Sequence, residues 1–194
     1  RPFDEGLARA RGHVDRLGAH RRGQRPGGEV EAEDLFRVHF DGAANVSALP
    51  RRAGYLHAMQ RHGLEPVVVL AGDDEADAAA AVATMMQMDP LPTAIFAFND
   101  LLAAGVLDAI EDTGLRVPDD VSIVGYDNTF IASLNHLALT TINQPRREMG
   151  RMAVAAITAR IDDERVETTL HRLEPELVER STSGPPPGTK ESPL

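Results

Sequence analysis

Cysteine is absent from the 194 residues, which removes disulfides, thiolate zinc sites and cysteine nucleophiles from consideration. Equally missing is any run approaching the roughly 18 consecutive apolar residues of a membrane helix, and no basic-then-apolar leader opens the chain. A soluble protein is the expectation, and these absences leave the compartment open. Positive charge is also in short supply: 20 Lys and Arg stand against 30 Asp and Glu, for a formal net charge of -10. That balance opposes the phosphate attraction behind most sequence-independent DNA affinity, so this chain alone is expected to bind DNA poorly.

Enzyme signatures are lacking as well. There is no Gly-x-Ser-x-Gly elbow, no phosphate loop with Gly-Lys-Ser/Thr and no His-Glu-x-x-His helix. The seven histidines are scattered, and His13 and His20 read as solvent-facing rather than as metal ligands. Asp73-Asp74 and Asp119-Asp120 are adjacent in sequence, so their side chains diverge and neither pair suits acid/base work. No catalytic site, cofactor or metal is expected.

What is present is an alternation, from residue 38 onward, of short apolar runs with segments of helical period, the pattern of a parallel sheet wrapped by helices. The fold class is α/β. Strands are expected at Val38 to Phe40, Val67 to Leu70, Ala94 to Phe98, Val121 to Val124 and Thr140 to Ile142. Helices are expected at about Ser47 to His62, Glu75 to Met88, Leu101 to Asp112 and Arg146 to Ile161, with a last extended segment at about Thr168 to Glu179. Residues 3 to 20 look helical, and 21 to 37 mix Arg, Gly, Pro and Glu without period, the mark of a flexible excursion. From Ser181 the Gly/Pro/Ser-rich end reads as a disordered tail.

Four of these strands deliver polar side chains at their carboxyl ends: Asp41, Asp73 or Asp74, Asn99 or Asp100, and Asp127. In open α/β sheets ligands sit in the crevice beyond those ends, so the convergence points to a polar ligand site. Either Asn99 or Asp100 suffices to cap the helix at Leu101; Asn99 is assigned to ligand and Asp100 to the cap. Asp127 has the alternative of capping the turn after its strand.

Four motifs carry a resemblance to a known family: Arg51-Arg52-Ala53-Gly54-Tyr55; Pro92 to Asp100; Val117-Pro118-Asp119-Asp120 through Val121 to Asp127; and Leu139 to Pro145 followed by Met149-Gly150. In this order and spacing they resemble the LacI/GalR family of transcription regulators, whose sensing domain has the two-lobed fold of periplasmic sugar-binding proteins. The resemblance covers roughly residues 38 to 183. It implies that residues 1–144 form most of a C-terminal lobe, that 145–163 hold a crossover helix of the other lobe, that 164–180 return to the first, and that 181–194 form the tail. It further implies that the helix-turn-helix reader, the hinge and the bulk of the N-terminal lobe are missing from this chain, so operator DNA would be met only through that region.

By motif position, Arg51, Asn99 and Asp127 match the family's effector contacts, Asp74 stands where relatives often place an aromatic ring, and Gln144 lies at the inter-lobe crossing. Arg, Asp and Asn supply the planar, charge-assisted hydrogen bonds that a polyhydroxylated or nucleobase-like effector needs. Each has a plainer role open to it: Arg51 a solvated helix start, Asp74 a surface acid before a helix, Gln144 a structural crossover. The resemblance implies a homodimer with contacts around Leu101 to Leu107 and Phe130 to Leu137, acting as a repressor gated by a small molecule. A sugar-binding protein of a transporter is the alternative, and a fragment without retained activity a third possibility.

Overall fold

A computed structural model describes residues 37–42, 48–72, 75–162 and 170–187. The expectations for a helix over residues 3 to 20, for the excursion up to 36 and for Asp74 fall outside the described residues.

Six strands form one sheet in the order β2-β1-β3-β4-β5-β6. These are β1 (Arg37–Gly42), β2 (Val67–Ala71), β3 (Ala94–Ala97), β4 (Ser122–Asp127), β5 (Thr140–Asn143) and β6 (Glu176–Val178). The first five are parallel, while β6 runs antiparallel to β5 and pairs Leu177 with Ile142. Among the described residues four helices intervene: α1 (Ala48–Arg61), α2 (Glu75–Met85), α3 (Asp100–Glu111) and α4 (Arg146–Ile161). A short 3-10 turn spans Ile131–Ser133. The order of the first five strands reverses between β1 and β3, the switch point at which doubly wound sheets open a crevice beyond their carboxyl ends.

Helical period explains the core. Ala78, Ala81, Val82 and Met85 recur along one face of α2, and Leu102, Val106 and Ile110 along one face of α3; all are buried. They meet Ile95 of β3, Ile123 of β4, Val121 and Leu139 in a single cluster. The small alanines let α2 approach closely, and each fully buried Leu, Ile or Val contributes about 1.5–3 kcal/mol relative to exposure. Tyr55 fixes α1 to the start of β2, its hydroxyl donating to Val67 O at 3.1 Å and accepting from Val67 N at 2.9 Å. α4 differs from the other helices: it buries none of its residues, and Met149, Val154, Ile157 and Ile161 are exposed.

The expected disordered tail needs correction at its start. Thr182 is buried, and residues 181–184 are bonded along the sheet. Ile123 N donates to Thr182 O at 2.7 Å, Thr182 Oγ1 donates to Ile123 O at 2.7 Å, and Thr140 N donates to Thr182 Oγ1 at 2.9 Å. Ser181 N adds a bond to Ala138 O, and Gly184 N one to Ser122 Oγ. A segment rich in Gly, Pro and Ser is held because the starts of the strands beside it have backbone groups to satisfy.

Candidate effector site

Arg51 sits in the first turns of α1, the helix after β1, and Asn99 lies two residues beyond β3; the two therefore flank the switch point of the sheet. Asp127 is the last residue of β4, the next strand along, and Gln144 directly follows β5. Arg51 donates through Nη1 to Phe98 O and through Nη2 to Asp127 Oδ1 at 3.2 Å. Its guanidinium also lies over two rings, 3.9 Å from the centroid of Tyr126 and 4.5 Å from that of Phe98. Such cation–π contacts add about 0.5–2 kcal/mol as the site loses water. The pair is sheltered, with Arg51 and Asp127 side chains 12% and 25% exposed.

Gln144 Nε2 donates to the same Oδ1 of Asp127. Arg51, Asp127 and Gln144 therefore form one hydrogen-bonded chain linking α1, β4 and the segment after β5. Asp127 Oδ2 takes no hydrogen bond from the described residues. Asp127 and Asn99 both line a cavity of about 410 Å³ with Leu101, Thr129, Phe130, Ile131 and Arg146. That volume lies in the range of small-molecule sites, about 300–1,000 Å³.

The cap falls to Asn99 and not, as expected, to Asp100. Asn99 is the N-cap of α3, its Oδ1 accepting from Leu102 N at 2.7 Å. Asp100 is fully buried instead and takes bonds from Thr129 and Thr141. Asn99 still borders the cavity, but its carbonyl oxygen is committed to the helix. Asp74 lies outside the described residues.

Sequence reasoning missed a second ring of contacts around Asn128. Asp127 and Asn128 both have positive φ, 107° and 49°, conformations that Asp and Asn adopt more readily than most residues. Asn128 Nδ2 donates to Asn143 Oδ1 at 3.2 Å, while Asn128 Oδ1 accepts from Arg180 Nη2 at 2.9 Å. Arg146 Nη2 donates to Asn128 O at 2.7 Å, and Arg180 Nη1 to Leu139 O at 2.6 Å. The turn that presents Asp127 is thus clamped by one arginine from the start of α4 and another from just beyond β6. The adjacent Asp-Asn pair at the end of a strand was the available signal. Its two arginine partners, 18 and 52 residues away, left none. Among the described residues no cluster of His, Asp or Glu could hold a metal ion, and no helix is long and apolar enough to cross a membrane.

Residues 37–183 match the family model described as a periplasmic binding protein-like domain. The HTH-type transcriptional repressor PurR of Vibrio campbellii is 40% identical over 147 residues, covering 74% of this chain and 43% of that protein. The repressor of the same name from Aliivibrio salmonicida is 39% identical over 132 residues, covering 66% of this chain and 40% of its own. The chain thus spans less than half the length of these curated relatives. Among solved structures, a LacI transcriptional regulator from a Rhodococcus species superposes with a TM-score of 0.73 at 40% identity, over 78% of this chain and 56% of that one. The regulator CelR in complex with cellobiose gives a TM-score of 0.71 at 27% identity, over 92% and 52%.

Proposed function

We propose, given that this chain belongs to the LacI/GalR family of transcriptional regulators and carries that family's periplasmic-binding-protein-like effector domain, that Arg51, Asn99, Asp127 and Gln144 receive a small polar effector that controls operator affinity. The observation that carries this reading is the Arg51–Asp127–Gln144 chain at the edge of the 410 Å³ cavity. Asp127 spends one oxygen on the protein and keeps the other for a ligand donor, and Arg51 holds that carboxylate in a fixed orientation. A sugar hydroxyl or a nucleobase N–H suits such an acceptor.

Effector binding would act by favouring one closure of two lobes over another, and operator affinity would change by no more than the effector's differential affinity for the two states. In this reading α4 belongs to the second lobe, which accounts for its exposed apolar side chains. The protein acts in the cytoplasm as a homodimer that reads operator DNA outside the described residues. Leu101 and Phe130, 40% and 75% exposed beside the same cavity, supply the dimer contact.

A thermal-shift screen of mono- and disaccharides, cellobiose included, and of nucleobases tests the effector. A ligand at about 100 times its Kd stabilises by about 2.7 kcal/mol, which for this length is a rise in Tm of roughly 5–10 °C. A panel that leaves Tm unmoved at millimolar concentrations overturns the reading.

A further inference from the structure

We infer that Asp100 is the positioning residue of this site: its buried carboxylate ties together the ends of β3, β4 and β5 and thereby sets the spacing of Asn99, Asp127 and Gln144. The inference rests on the reading of those three residues as the effector site, but its test needs no effector.

Asp100 is 0% exposed. Its Oδ2 accepts from Thr129 N at 2.6 Å and from Thr129 Oγ1 at 2.9 Å, and its Oδ1 accepts from Thr141 Oγ1. All three donors are neutral; among the described residues no Arg, Lys or His forms an ion pair with it. The negative charge is held by amide and hydroxyl dipoles and by its place as the first residue of α3, where the helix dipole favours an anion.

The partners fall beside the site in sequence. Asp100 follows Asn99, Thr129 lies two residues after Asp127, and Thr141 lies three before Gln144. One carboxylate therefore contacts each of the three elements whose ends carry a site residue. β4 is shaped to admit it: a Cβ added at Gly125 would stand 2.6 Å from Asp100 Oδ1 and 2.9 Å from Leu139 Cδ2. Any side chain at 125 would push the carboxylate away. The turn between also needs an external anchor, because two consecutive non-glycine residues at positive φ persist only where surrounding contacts over-determine them. The bonds that Thr129 donates to Asp100 supply that anchor on one side, and the arginine contacts to Asn128 supply it on the other.

The ligand-free reporter is Arg51. Its Cζ lies 3.9 Å from the Tyr126 ring centroid, so ring currents displace its side-chain resonances in NMR spectra of the whole chain. Asp100→Ala and the pair Thr129→Val with Thr141→Val are expected to move the Arg51 signals toward their unshifted positions. Amide exchange at residues 127–129 should rise roughly tenfold, while amides of β3 keep their protection. Thr129→Ser with Thr141→Ser, which retains both hydroxyls, should restore the native signals. Should Asp100→Ala fail to fold, Thr129→Val alone decides. Unmoved Arg51 signals in a folded variant overturn the inference, as does a loss of protection spread evenly over the sheet, which would mark an ordinary structural role. A flat ligand screen would remove the effector reading and leave this result standing.

Discussion

Replacing Thr182 by valine keeps the shape of the side chain and removes one hydroxyl at a place where that hydroxyl stands in for a neighbouring strand. Thr182 Oγ1 satisfies Ile123 O at 2.7 Å and Thr140 N at 2.9 Å. Ile123, Thr140 and Thr182 are 0%, 1% and 3% exposed, so water cannot easily replace the lost bonds. Each buried backbone group left unsatisfied costs about 1–3 kcal/mol, which puts Thr182→Val at roughly 2–5 kcal/mol after partial relaxation. At about 2–4 °C of Tm per kcal/mol for a chain of this size, the midpoint of thermal unfolding should fall by roughly 5–15 °C. Urea titration followed by far-UV circular dichroism should show a lower midpoint with an unchanged slope. Thr182→Ser is the control: it keeps the hydroxyl and loses one methyl, for a cost of about 1 kcal/mol. A valine variant within about 0.5 kcal/mol of the parent, or a serine variant as damaged as the valine one, would refute the claim that residues 181–184 complete the sheet.

Ile110→Ala empties part of the fully buried α3 face and should cost about 2–5 kcal/mol in the same titration. Asp127→Ala should abolish the thermal shift given by whichever sugar or nucleobase stabilises the parent, and an undiminished shift would remove Asp127 from the site. Phe130→Glu, at a position 75% exposed, should lower the sedimentation-equilibrium mass from dimer toward monomer without changing the unfolding midpoint. In fluorescence anisotropy at physiological salt the chain, with its net charge of -10, should show no specific binding to duplex DNA; nanomolar affinity would contradict the expectation that this chain alone binds DNA poorly.

The alternation of apolar runs and helical period located the elements well because both signals are local. The fourth helix was expected and found at Arg146–Ile161, since a proline precedes it and Met149, Met152, Ala153, Ala156 and Ile157 recur at helical spacing. β4 was expected at Val121 to Val124, yet the strand runs from Ser122 through Gly125 to Asp127. That glycine is there for the carboxylate of Asp100 packed against it, a cause that lies 25 residues away. The same distance effect moved the cap from Asp100 to Asn99. Either side chain can cap a helix, and only the hydroxyls of Thr129 and Thr141, brought in by the sheet, decide which one turns inward. Arg51, Asp127 and Gln144 were named from motif position, and the structure brings them into one hydrogen-bonded chain. Asn128, Arg146 and Arg180, which hold the turn beside them, belong to no motif and could be found only from the fold. The relatives described above are named as transcriptional regulators and repressors, which favours the regulator over the transporter component.

Asp127 divides its oxygens, Oδ1 toward Arg51 and Gln144 and Oδ2 without a bond from the described residues beside the cavity. Asparagine would tolerate the backbone there, since it adopts positive φ as readily as aspartate. With its amide oxygen kept against the arginine, however, its NH2 group would replace the acceptor at the cavity. A ligand that offers hydroxyl or N–H groups would then meet another donor, and one presenting a carbonyl or carboxylate would be welcomed. Exchanging one heavy atom, with cavity volume, turn and sheet unchanged, would reverse the chemistry of the ligand that the proposed site accepts.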